Sequence, residues 1–158
     1  MDRVDKINYY LDIAESVGER GTCLRNNYGS VIVKNDEIIS TGYTGAPRGR
    51  KNCLDLGFCK RKEANSSLSG TGYEICRAVH SEQNAVISAN RRDMIGGVLY
   101  LVGINKRNGE YVKDNKPCTL CKRMIINAGI EKVVMRDTKE SYRVELVEEW
   151  IKNDDTLL

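Results

Sequence analysis

The chain has 158 residues, 41% of them hydrophobic and 30% charged, with 14 glycines and two prolines. That balance excludes fibrous and disordered classes, and a chain of this length buries roughly two-thirds of its unfolded surface, so residues 1–158 are expected to form a single domain without a disulfide scaffold. The net charge of +3 argues against wholesale nucleic-acid binding, although charge can still be concentrated locally.

Met1 to Gly18 carries charges throughout its apolar pattern, which fits neither a signal peptide nor a membrane span. The expected location is cytoplasmic, with no membrane partner. Within this stretch Val4, Ile7, Leu11 and Ala14 recur at helical steps and predict a helix ending near Gly18. Ser30 to Lys34 and Glu37 to Tyr43 are rich in β-branched residues, and Asn35-Asp36 between them predicts a tight hairpin. Thr44 to Gly72 has Gly, Ser, Asn and basic residues without a sustained period, and reads as a long loop. Val79 to Asn90 reads as a helix with Ala85, Val86 and Ala89 on its apolar side, followed by a buried strand over Val98 to Val102. Asn108-Gly109 then predicts a small hairpin arm with Tyr111 and Val112 on its return. A helix is expected from Pro117-Cys118 to Ala128, stopped by Gly129, then a strand over Lys132 to Met135 and a last helix over Tyr142 to Lys152. This order describes a layered α/β sandwich with helices packed over one mixed sheet. Tyr9, Tyr10, Tyr142 and Trp150 all fall on predicted helices, where packing explains them better than base stacking.

The chemistry sits in two pieces, His80-Ser81-Glu82 and Pro117-Cys118-Thr119-Leu120-Cys121, each at the start of a predicted helix. Two cysteines spaced C-x-x-C at a helix start can aim both sulfurs at one metal, and the helix N-terminus favours their thiolate form. His80 is the chain's one histidine. As a third ligand it would leave the fourth tetrahedral position open, which separates a catalytic zinc from a closed structural one. Glu82 could then take a proton from water and return it to a ring nitrogen and a leaving amine. The alternative is a closed structural zinc with Glu82 as an ordinary helix-start residue.

H-x-E paired with P-C-x-x-C is the signature of the zinc nucleobase deaminases. With Cys23-Leu24-Arg25, Val31-Ile32-Val33, Gly42 to Pro47 and His80 to Val86, the chain resembles the deoxycytidylate (dCMP) deaminases over most of residues 20 to 135. The resemblance implies a cytidine-deaminase-like α/β/α sandwich, with Glu82 as proton shuttle for attack of water at carbon 4 of cytosine, giving dUMP and ammonia. It also implies a homo-oligomer, often a hexamer, and dCTP and dTTP as effectors. Thr44 stands where the family has an Asn that contacts the sugar, and Ser81 where it has Ala. A deaminase of another nucleoside, free base or tRNA adenosine is a second reading, and a zinc-stabilised regulatory protein without turnover a third.

In a reducing compartment the remaining cysteines, Cys23, Cys53, Cys59 and Cys76, read as thiols or metal ligands. They are the right number for an all-cysteine tetrahedral site, and some dCMP deaminases carry a second, structural zinc in a comparable region; buried free thiols are the alternative. A nucleotide phosphate needs a cation. Arg48 and Arg50 in the loop are candidates, against the alternative of a solvated charged loop.

Overall fold

The computed structural model describes residues 2–64 and 72–153. Helix α1 (Lys6–Gly18) leads into the hairpin β1 (Asn26–Lys34) and β2 (Glu37–Tyr43). Asn35 and Asp36 both take positive φ, 51° and 62°, as a two-residue turn between right-twisted strands requires. After α2 (Cys53–Leu56) and α3 (Lys60–Glu63), a 3-10 turn at Tyr73–Ile75 precedes α4 (Ser81–Ile87) and α5 (Arg91–Met94). The chain continues through β3 (Val98–Asn105), α6 (Thr119–Ala128), β4 (Lys132–Arg136), β5 (Tyr142–Leu146) and α7 (Val147–Lys152).

The five strands form one mixed sheet in the order β2-β1-β3-β4-β5. Only β3 and β4 run parallel, and α6 lies between them in the chain as the crossover that parallel strands need. Side chains alternate strictly across the sheet. Ile32, Leu99, Leu101, Val133 and Met135 point into a core shared with Ala85 of α4 and Ile125 of α6. Val31, Val33, Tyr100, Val102 and Val134 point the other way, onto Tyr10, Leu11 and Ala14 of α1. Continuous apolar runs on β1, β3 and β4 are thus explained by burial on both faces, the condition of a sheet inside an α/β/α sandwich.

Two glycines set how closely the helices approach. A Cβ on Gly29 would lie 1.9 Å from the Ala14 carbonyl oxygen of α1. A Cβ on Gly42 would lie 2.2 Å from the Ser81 oxygen and 2.4 Å from the Ala85 nitrogen, so α4 rests its backbone directly on β2. Gly42→Ala is therefore expected to destabilise the protein by about 3 kcal/mol, the upper end of overpacking costs, because the opposing atoms are backbone and cannot rotate away. A chemical-denaturation midpoint unchanged by the substitution would refute this.

Three elements differ from the sequence reading. Tyr142 to Lys152 is not one helix, because Tyr142–Leu146 extends the sheet as β5 and Trp150 alone of the two aromatics sits on a helix. Val144 and Leu146 on this edge strand are exposed, so the apolar spacing there mimics a helical stripe. The helix expected over Val79 to Asn90 is shorter, α4, followed by the separate turn α5. The long loop contains α2 and α3, single turns too short to register as a period; its residues 65–71 lie outside the described residues. The predicted arm is held by one bridge between Ile104 and Tyr111, and the Tyr111 hydroxyl donates to Glu15 of α1 at 2.9 Å. Arg136, 0% exposed at the end of β4, donates to Asp12 and Glu15, both at 2.8 Å. Removing its charge would leave Asp12 with Lys139 and Glu15 with Tyr111, and would loosen α1 from the sheet.

Candidate active site

The beginnings of α4 and α6 meet at one end of the sheet, where their helices pack against each other. The extended backbone of His80 forms the N-cap of α4, and its N–H donates to the Gln83 side chain at 2.9 Å, closing the first turn. The chain just before it is tied down as well, since Val79 and Gly45 exchange both backbone hydrogen bonds, at 2.7 and 3.2 Å. Cys118 caps α6 in the same extended conformation, and Cys121 lies in the first turn of that helix.

Folding thus brings together the three residues that the sequence singled out. His80 Nδ1 is 3.5 Å from Cys118 Sγ and 3.4 Å from Cys121 Sγ, and all three donor atoms lie within 4.8 Å of one another. Zinc bonds of about 2.1 Å to nitrogen and about 2.3 Å to sulfur imply a tetrahedral N···S edge of about 3.6 Å. The donor set fits zinc in both chemistry and spacing. His80 and Cys118 also line a cleft of about 320 Å³, so the site has an open side.

The electrostatics agree with two donors competing for a proton. The hydrogen bond from Cys121 pulls the Cys118 thiol down to about 4, with His80 assisting against burial. Cys121, which donates that bond, is pushed up, and burial adds to the effect. Burial works to lower His80, yet its hydrogen bond to Cys118 and the neighbouring Glu82 charge leave it raised overall.

Glu82 reaches the same cleft from the first turn of α4 and is 6% exposed. Burial pushes its carboxyl up, partly offset by its own backbone N–H and by His80. A carboxyl held above its ordinary value is protonated in both folded and unfolded chains at low pH. The fold therefore loses stability as pH rises through the raised value. Metal-free Glu82→Gln should melt above metal-free wild type at pH 8, and the gap should close below pH 4.5, the ordinary value. A gap that widens on acidification would contradict this.

Thr44 lines the cleft, buried, and accepts a hydrogen bond from the Tyr28 N–H at 3.1 Å, which leaves its own hydroxyl hydrogen available. Arg48 and Arg50 are exposed and do not line the cleft. The cations that do are Arg25, Arg61 and Lys116. Arg25 follows Cys23 by two residues, and its backbone N–H donates to Cys23 Sγ at 3.4 Å. Lys116 immediately precedes Pro117-Cys118. Both adjoin motifs visible in the sequence, but nothing in spacing alone distinguishes them from other surface cations. Tyr28 and Tyr73 were also missed; Tyr73 sets its ring edge-on to His80 at 4.8 Å.

Cys23, Cys59 and Cys76 line the cleft too, and Cys53 is buried at the start of α2. Among the described residues the close three-donor group is that of His80, Cys118 and Cys121, and the other four sulfurs are not gathered as tightly. Burial raises the Cys53 and Cys76 thiols, and the charges of Cys23 and Cys59 add to both shifts.

Residues 4–137 match the cytidine and deoxycytidylate deaminase zinc-binding region. The deoxycytidylate deaminase of Mycobacterium phage D29 is 35% identical over 138 residues, covering 85% of this chain and 96% of that one. That of Schizosaccharomyces pombe is 33% identical over 129 residues, covering 80% of this chain and 35% of the longer yeast protein. Among solved structures, the dCMP deaminase of cyanophage S-TIM5 in complex with dCMP and dUMP superposes with a TM-score of 0.58 at 25% identity, covering 86% of this chain and 84% of that one. The chain belongs to the zinc-binding cytidine and deoxycytidylate deaminase family. Its mixed five-stranded sheet with helices is the α/β fold of those enzymes. No helix among the described residues is long and apolar enough to cross a membrane.

Proposed function

We propose that this chain is a zinc-dependent hydrolase that deaminates dCMP to dUMP and ammonia. The observation that carries the reading is the three-donor N,S,S group with a buried carboxylate beside it in a nucleotide-sized cleft. His80, Cys118 and Cys121 would hold the zinc, which when bound lowers the pKa of water to about 7 and so supplies a nucleophile at neutral pH. Glu82 would take one proton from the attacking water and give it to the ring nitrogen as the C–O bond forms at carbon 4, then pass the second proton, from the new hydroxyl, to the amine as the C–N bond breaks and ammonia leaves. Burial holds the Glu82 carboxyl above the ordinary value, which favours its keeping a proton between the two transfers.

Arg25 and Lys116, lining the cleft, bind the 5′-phosphate, and the free Thr44 hydroxyl hydrogen serves the sugar. Charge-assisted hydrogen bonds are worth about 1.5–3 kcal/mol, so Arg25→Ala should raise KM for dCMP by about 10–100-fold. Deoxycytidine, which lacks the phosphate, should be processed equally by the variant and the wild type. Equal losses on both substrates would remove Arg25 from the phosphate site.

Cys23, Cys53, Cys59 and Cys76 hold a second, structural zinc in the same reading, supported by their number and by the charges of Cys23, Cys76 and Cys59 acting on Cys53. Two zinc ions per purified chain would bear this out; one would leave them as thiols. A cytoplasmic homo-oligomer, hexameric in the manner the resemblance implies and regulated by dCTP and dTTP, completes the proposal. Exposed Tyr43 and Ile87 supply apolar surface for contacts between copies. Sedimentation with and without dCTP tests both points.

The decisive assay is ammonia release and loss of cytosine absorbance with dCMP, CMP, deoxycytidine and cytidine. Preference for dCMP supports the proposal. Turnover of a nucleoside, a free base or a tRNA adenosine instead would replace the substrate, and zinc binding without any turnover would make the chain a regulatory protein.

A further inference from the structure

Two hydroxyls lie behind the carboxylate of Glu82, in a place where a core would ordinarily put methyl groups. Ser30 on β1 and Ser81 in the first turn of α4 are both 0% exposed. Their Oγ atoms are 2.7 Å apart, and Ser81 Oγ donates to Glu82 Oε2 at 3.1 Å. A serine hydroxyl has one hydrogen. Because Ser81 gives its hydrogen to the carboxylate, it must accept from Ser30, so the chain of donation runs Ser30 to Ser81 to Glu82. Isolated from water, these bonds polarise one another, and none of them exchanges for a bond to solvent.

We propose that Ser81 is a positioning residue for the deamination, holding the rotation of the Glu82 carboxylate through Oε2, and that Ser30 acts one step behind it by orienting the Ser81 hydroxyl. This rests on the reading of Glu82 as the proton carrier. The helix start at His80 and the close seat of α4 on Gly42 fix the backbone of Glu82, but its side chain still has three torsions. Tying down Oε2 leaves the carboxylate presented in one orientation, which proton transfer over a short hydrogen bond requires.

In Ser81→Ala we expect kcat on dCMP to fall about tenfold while KM stays within about twofold, with zinc content unchanged. Ser30→Ala should fall less, and Ser30→Ala/Ser81→Ala no further than Ser81→Ala alone, because the chain is already cut. Ser81→Thr, which retains the hydroxyl, should recover most of the loss. A readout independent of turnover is the ¹³C resonance of the Glu82 carboxyl in metal-free protein, identified by its disappearance in Glu82→Gln. It should shift in Ser81→Ala and shift less, in the same direction, in Ser30→Ala. An unmoved resonance, an unchanged kcat in Ser81→Ala, or losses that multiply in the double variant would each overturn the proposal. If wild type turns over no cytosine substrate, the functional reading fails, and the resonance still decides whether the serines hold the carboxylate.

Discussion

Replacing Glu82 with Gln is expected to lower kcat by about 10⁴-fold while the chain keeps its zinc. The magnitude follows from what one group is asked to do. General acid–base catalysis contributes about 10²–10⁴, and the role proposed for Glu82 is first base toward water and then acid toward the ring and the amine, so the upper end applies. The amide has nearly the same shape and can still accept the hydrogen bond from Ser81 at 3.1 Å, so packing is preserved. It cannot accept a proton and give it back. The proposed metal donors are separate atoms on His80, Cys118 and Cys121, and zinc per chain should remain as in wild type. Single-turnover measurements on dCMP separate this from a binding defect, since KM should be little altered. A variant that retained more than about a tenth of wild-type kcat would move the proton-carrying role to another group.

Why the site could be read from the sequence and its surroundings could not is a matter of range. His80, Glu82, Cys118 and Cys121 stand in two short motifs whose internal spacing is imposed by a helix start, so local sequence determines most of their geometry. Joining the motifs requires α4 and α6 to lie side by side, which the family resemblance supplied and the sheet order accounts for. The hairpin was legible for the same local reason, through Asn35 and Asp36 at positive φ. Phosphate candidates were not. Arg48 and Arg50 attracted notice as part of a basic run, yet they lie on an exposed turn, whereas Arg25 and Lys116 reach the cleft from two separate segments brought together only by tertiary packing. The strand β5 was read as helix because its outward side chains Val144 and Leu146 are apolar, and the polar exterior that should mark an edge strand is missing there. Ser30 and Ser81 are 51 residues apart, and each alone reads as an unremarkable small residue.

Cys121→Ala should lose the zinc held with His80 and Cys118, and with it measurable turnover, because a site of three protein donors loses a third of its ligands. Of the two thiols, Cys121 is the more informative. It is 0% exposed, it lies inside α6 rather than at its cap, and its proton is held tightly by the bond to Cys118. Cys118 is pulled down by the same bond, so the two sulfurs share a proton. Loading zinc must therefore expel the proton that the two sulfurs share. Calorimetric titration of metal-free protein with zinc in buffers of different ionisation enthalpy should show more proton release in wild type than in Cys121→Ala. Affinity should weaken as pH falls, because protons then compete for the same donors. Thermal melting adds a second signature, since a ligand that binds the folded chain raises its stability in proportion to the logarithm of its saturation. Zinc should raise the melting temperature of wild type by more than that of Cys121→Ala. Zinc uptake with no proton release, or full loading of the Cys121→Ala variant, would mean that the metal sits elsewhere than at the meeting of α4 and α6.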